Sequence, residues 1–224
     1  MVLEFFKGGA DRQLEGIERR IVVMLQDCRH AFDLSMTALL AGGDPTTVGP
    51  EVRTTDIRVN KAERAVRREL VVHVSVRGAK ADLPMVLATM SIVKDVERIG
   101  DYAKNVWDLT AEGIDFSSAP DRDDLVAWRS RTSSAIGDVA RVFQDRDTAA
   151  AHEMIKAFDE ILDECDERIT SQLTSPESPR EAVPRALLFR YLKRIYAHLM
   201  NVLSSLVMPL DRLDYYDEDK ADRV

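Results

Sequence analysis

Val96-Glu97-Arg98-Ile99-Gly100-Asp101-Tyr102-Ala103-Lys104-Asn105 puts acids and bases where the preceding residues predict an apolar helix face. Upstream, Leu83, Val86, Met90 and Val93 recur at helical spacing on one side. At ~100° per residue, Glu97 falls on the centre line of that side, with Asp101 one turn later, then Lys104 and Asp108. A second stripe, Ala88, Ile92, Val96, Ile99, Ala103 and Val106, runs down the opposite side. A helix with two apolar stripes needs neighbours on two faces. One of those faces turns acidic halfway along. Carboxylates at i and i+4 project side by side and repel, and a partly buried carboxylate is costly. Something positive is expected there: a basic side chain, water with ions, or a metal bound through oxygen.

Around this stretch lie 224 residues, 45% hydrophobic, 31% charged and only 6% aromatic. That is enough chain for one or two domains with a real core, and the mix suits helices better than sheets. A net charge of −8 argues against non-specific nucleic-acid binding. The two cysteines, Cys28 and Cys165, are far apart and predict a reducing compartment without a disulfide framework. No apolar run is long enough to span a bilayer, and Met1–Lys7 is too short and too acidic for a signal peptide. That opening segment is read as a frayed start against the first helix or as a small hydrophobic anchor.

The pattern predicts six long helices. The first runs from Asp11 to about Ala41, with Ile17, Ile21, Met24, Leu25, Cys28, Phe32, Ser35, Met36 and Leu39 as its stripe, and ends at Gly42-Gly43-Asp44-Pro45. The second starts near Pro45 or Pro50 and reaches about Arg77. It buries Val59, Ala62, Val66 and Leu70, carries Asp56, Asn60 and Glu63 at i, i+4, i+7, and is otherwise basic. Val71 to Val76 has strand propensity, but a lone strand would have no partner, so it is read as helix. The third helix covers about Ala81 to Glu112, with Pro84 in its first turn. Gly113 and Ser117-Ser118-Ala119-Pro120 mark a boundary, giving domains 1–116 and 117–224. The fourth helix spans about Arg122 to Gln144. The fifth follows an N-cap at Asp147 and reaches Leu173. The sixth runs from about Arg180 to Leu213, bent or ended by Pro209, before an acidic tail. His30, His73, His152 and His198 have no mutual ligand spacing and are read as ordinary helix residues.

The chain repeats itself, three helices and three. At an offset of 103, Asp44, Asp56, Asn60 and Glu63 fall on Asp147, Asp159, Asp163 and Asp166. At an offset of 96, Arg98-Ile99 falls on Arg194-Ile195 and Asn105 on Asn201. At the acidic positions the copies differ: Glu97 meets Lys193 and Asp101 meets Ala197.

Asp56-x-x-Val59-Asn60-x-x-Glu63, then Ala81-Asp82-Leu83, then Glu97-Arg98-Ile99-Gly100-Asp101-Tyr102-Ala103-x-Asn105 resemble the first repeat of the PhoU family of bacterial phosphate-signalling regulators. Length, the three-plus-three layout and Asp159-x-x-x-Asp163 extend the resemblance over nearly the whole chain. It implies an all-α fold of two tandem antiparallel three-helix bundles. It further implies a non-catalytic cytoplasmic regulator, peripheral to the membrane through its protein partners, a phosphate ABC transporter and a sensor histidine kinase. A homodimer is left open. Bound divalent or trivalent metal (iron, zinc, manganese or magnesium) is implied at Glu/Asp-x-x-x-Asp motifs. Residue by residue, the metal candidates are Glu97 and Asp101, with Asp56, Asp159 and Asp163 behind them. Asn60 departs from a carboxylate, and Lys193 and Ala197 replace the acidic pair in the second repeat, so that bundle is expected to bind weakly or not at all, with Lys193 set against Asp159 or Asp163. Gly78 and Ala79 stand where the family usually has proline, which implies a local loop change.

No nucleophile–base set, Gly-rich phosphate loop or catalytic histidine is visible, which favours a regulatory binding protein. Two other classes stay open. A carboxylate-metal enzyme could be built from acids on facing helices, and a plain scaffold would leave those acids solvated. Within the regulatory class, an adaptor for another transporter, such as a sodium–phosphate symporter, is the alternative.

Overall fold

The structure is a computed structural model and describes residues 12–42, 45–78 and 81–213. The opening segment, Asp44 and the acidic tail lie outside the described residues. Six helices follow in order: α1 Arg12–Ala41, α2 Pro45–Arg77, α3 Leu83–Ala111, α4 Arg122–Asp145, α5 Thr148–Leu173 and α6 Pro179–Val207, then a 3-10 turn Leu210–Arg212. No strand occurs among the described residues, so the fold is all-α as the periodicity predicts.

Each helix end has a local cause. Asp82 caps α3 by accepting from the Met85 amide at 3.2 Å, with Pro84 in the first turn. Asp147 caps α5 in the same way, accepting from the Ala150 amide at 3.0 Å. Gly113, at φ 86°, closes α3 with Ile114 N–H returning to the Leu109 carbonyl, a left-handed stop that glycine adopts at no steric cost. The α6 helix stops at Val207, six residues short of the expected Leu213. Pro209 disfavours helical backbone at the residue before it, and Met208 is extended (φ −101°, ψ 150°). The chain then doubles back, and the Ser204 hydroxyl donates to the Leu213 carbonyl, which buries Leu213.

Helix α2 is continuous through Val71–Val76. His73 is buried and Val74 half-buried, while Val71, Val72 and Val76 face solvent. Strand propensity reflects fit to a half-buried pleated surface, and no strand among the described residues could supply one.

α1, α2 and α3 pack on one another, as do α4, α5 and α6, with the α4–α5 contact much the slightest. The two sets are joined through α1 on α4 and α3 on α6. One continuous apolar core runs through both, from Leu14 to Leu203. α6 shows why: every residue from Ile195 to Ser204 is buried, since this segment is surrounded on all sides. The junction also carries polar contacts. The Ser133 hydroxyl of α4 donates to Asp33 of α1 at 3.0 Å and accepts from Arg29 at 3.0 Å. Arg146, just past the end of α4, pairs with Glu18 of α1, and Arg122 caps the end of α1 at the Leu40 carbonyl, 3.1 Å away. α2 and α5 thus lie on the outside, and α1, α3 and α6 form the middle.

Candidate functional site

The acidic stretch of α3 lies against α1 and α2. Gly100 allows that approach: a Cβ there would stand 3.3 Å from Cys28 Sγ and 3.5 Å from Val59. Cys28 donates to the Val96 carbonyl at 3.3 Å. Burial, followed by the nearby Asp27 and Glu97 charges, pushes its thiol far above the ordinary range.

Glu97 is buried, only 8% exposed, and its carboxylate accepts from Lys94 Nζ at 2.6 Å. Asp101, one turn on, is half-buried and stands 3.7 Å from the Arg98 guanidinium. Asp56 arrives from α2, half-buried, with Lys104 Nζ of α3 4.0 Å away. The structure therefore brings Asp56, Glu97 and Asp101 into one electrostatic neighbourhood and sets a cation beside each. The balance at Asp101 is still unfavourable. Burial raises its pKa first, and Glu97 and then Asp56 raise it further against the opposing Lys104 and Arg98. Arg98 is in reach of Asp101, whereas Arg58 of α2 is taken by Asp27 in a bidentate pair at 2.8 Å.

Among the described residues, no group of three or more His, Cys, Asp or Glu side chains is arranged to hold a metal ion. The carboxylates of Asp56, Glu97 and Asp101 are hard oxygen donors of the kind divalent cations take. In the conformation present they turn to lysine and arginine. Their donor chemistry suits a cation, but their present arrangement does not gather them around one.

The second repeat is built differently. Asp159 is half-buried and Asp163 exposed on α5. Lys193 of α6 donates to Asp166, one turn beyond the two acids expected to face it. By the 103 offset Asp166 is the counterpart of Glu63, and by the 96 offset Lys193 is the counterpart of Glu97. An ion pair in the second repeat thus occupies the register where the first repeat has two buried carboxylates. Glu63 is balanced from its own helix by Arg67 at 2.9 Å.

A further polar cluster was not expected from sequence. Asp95 of α3 is buried and accepts from Asn201 of α6 at 3.0 Å, and His198 Nδ1 lies 2.8 Å from the same oxygen. Arg194 approaches the other ring nitrogen of His198 at 3.3 Å, and Tyr102 stacks on the imidazole at 5.8 Å. One signal was available. Asp95 lies between Ile92 and Ile99 on the second apolar stripe, where a charge must find a partner. The partner's position, 103 residues away, could not be read.

With this geometry in place, the chain can be compared with known proteins. The family model described as "PhoU domain" matches residues 21–110, which hold Asp56, Glu97 and Asp101. Residues 21–110 are a PhoU domain. The Synechocystis sp. protein described as a phosphate-specific transport system accessory protein PhoU homolog is 22% identical over 197 residues, spanning 86% of this chain and 87% of its own. A Deinococcus radiodurans protein of the same description is 28% identical over 158 residues, 68% of this chain and 74% of its own. The crystal structure of PhoU from Pseudomonas aeruginosa superposes with a TM-score of 0.73 at 22% identity, covering 90% of this chain and 98% of that one. The PhoU domain match ends at the C-terminal turn of α3, and the structural likeness carries the PhoU fold on through α4, α5 and α6.

Proposed function

We propose that this protein is a non-catalytic, cytoplasmic regulator of phosphate uptake and phosphate-starvation signalling. In this reading it acts as an adaptor between a phosphate transporter and a sensor kinase. The observation that carries it is the PhoU domain over residues 21–110, together with relatives described as accessory proteins of phosphate-specific transport systems. No helix among the described residues is long and apolar enough to cross a membrane, which accords with attachment through partners. The test is genetic. Deleting the gene should derepress phosphate-starvation genes in phosphate-rich medium, and unchanged expression would overturn the phosphate reading.

The adaptor also binds metal in its first repeat, through Glu97 and Asp101 with Asp56 from α2. A bound cation would supply the positive charge that Lys104 and Arg98 only partly provide at Asp101. In the second repeat Lys193 occupies the corresponding register, so Asp159 and Asp163 bind weakly or not at all. Equilibrium dialysis against zinc, manganese and iron should show uptake that Glu97→Gln/Asp101→Asn removes. Equal, negligible uptake by both proteins would mean that Lys94, Arg98 and Lys104 neutralise the acids without metal. Uptake lost only on changing Asp159 and Asp163 would move the site to the second repeat.

A further inference from the structure

The outward face of α2 has a composition unlike the rest of the chain. Between Val52 and Arg77, its exposed positions are all basic, aliphatic or hydroxyl-bearing, and none is a carboxylate. The chain as a whole carries 39 acids against 31 lysines and arginines. The two partly exposed acids of this segment are turned aside: Asp56 stands by Lys104 of α3 and Glu69 pairs with Arg20 of α1 at 3.0 Å.

At 3.6 residues per turn, Lys61, Arg64, Arg68, Val72 and Val76 lie on one stripe ~23 Å long. Among the described residues, Lys61 and Arg68 have no acidic partner, and Arg64 contacts only the carbonyl of its own helix at Asn60, 3.1 Å away. The valine end of the stripe is open, with Val72 49% and Val76 78% exposed. Leu83 and Leu87, at the start of α3, are also half exposed. Scattered exposed aliphatics need no explanation, but an apolar tip continuous with uncompensated cations does.

We infer that the outer face of α2 docks on an anionic lipid bilayer, with Lys61, Arg64 and Arg68 at the phosphates and the Val72–Val76 end against the interface. Charge complementarity chooses this occupant. The face is the convex outside of one helix, of a single sign over its cationic length and without a carboxylate to fix the register of a partner. A bilayer surface is uniformly negative and flat enough to meet it. The acid-rich α5, on the outside of the other half, would be held away from such a surface, so the molecule would dock in one orientation. Each cation near an anionic surface favours binding by about fivefold, and three together by on the order of a hundredfold.

The test is sedimentation of the full chain with vesicles of phosphatidylcholine alone or of phosphatidylcholine mixed with phosphatidylglycerol, an anionic lipid. The parent should be captured only by the anionic vesicles and released by salt. Lys61→Gln/Arg64→Gln/Arg68→Gln should lose on the order of a hundredfold in partitioning, with its thermal midpoint unchanged because these side chains make no ion pair in the fold. Val72→Ser/Val76→Ser should weaken capture while leaving its salt dependence. Equal capture of parent and triple variant would overturn the inference. So would absence of capture, including the case where low salt instead produces self-association through this face. These vesicles carry no transporter, so the outcome is independent of the phosphate reading.

Discussion

Asp101 concentrates the conflict between burial and charge at the level of single residues. Its pKa is raised in the folded protein by burial, then by Glu97 and Asp56. A carboxyl with a raised folded pKa penalises the fold at neutral pH, and the penalty is relieved as pH falls through that folded value toward the ordinary 3.8. Asp101→Asn is therefore expected to leave the metal-free protein as stable or more stable at pH 7, by less than about 1 kcal/mol given its partial exposure. The advantage should shrink as the pH is lowered toward 4. With zinc or manganese present the order should reverse if Asp101 is a ligand of the proposed metal site, because the variant then lacks it. Thermal midpoints at two pH values, with and without metal, check both signs. A variant clearly less stable than the parent without metal would mean that Arg98 and Lys104 already make Asp101 stabilising.

Helix α6 is placed by its apolar faces and tied at its first turns by one ion pair. Arg185 is buried, 9% exposed, and donates twice to Asp121 at 2.9 Å, joining the first turns of α6 to the residue that precedes α4. Its guanidinium also lies over Phe116, 5.1 Å from the ring centre. The hydrogen bonds from Arg185 hold Asp121 below the usual carboxylate pKa. A depressed acid contributes stability above its unfolded value, and that contribution is lost as pH falls through the lower folded value. Arg185→Met should cost roughly 1.5–3 kcal/mol at pH 7. The difference from the parent should narrow below pH 4, as Asp121 protonates. Urea midpoints at pH 7 and pH 3.5 would measure this, and a pH-independent difference would show that the loss is one of packing on Phe116. By contrast, Val71–Val76 required no special device to be helical, since α2 enters it already formed and no strand partner is at hand.

Over the whole molecule, the two repeats share one core rather than standing as separate bodies. Asp95 with His198 and Asn201 is the polar part of that junction, and Tyr102 closes over it. Removing the carboxylate leaves buried donors on α6 without an acceptor, so Asp95→Ala should cost about 1–3 kcal/mol. The parent should unfold in one cooperative transition by calorimetry, because the apolar core is continuous across both repeats. Two separated transitions in the parent would show that the repeats fold as independent units.

Periodicity and end signals were sufficient for the six helices, because both act over a few residues. Pro45 and Pro209 by their restricted backbone, and Asp82 and Asp147 by their side-chain caps, each set a helix end, and the α1 stripe from Ile17 to Leu39 is buried as spaced. The resemblance carried by Asp56-x-x-Val59-Asn60-x-x-Glu63, Ala81-Asp82-Leu83 and the Glu97–Asn105 string named the family, and the fold sets Asp56 near Glu97 and Asp101. Charge partners are a different matter. Sequence left open which basic side chain would meet the acidic pair, and set Lys193 against Asp159 or Asp163; the folded chain gives Arg58 to Asp27, Arg98 to Asp101 and Lys193 to Asp166. Rotation about a helix axis and the slide of one helix on another decide which long side chains meet, and neither is written in the spacing of one helix. The Asp95–His198 contact is the extreme case. It depends on how α3 settles on α6 across the two repeats, and only tertiary packing fixes that.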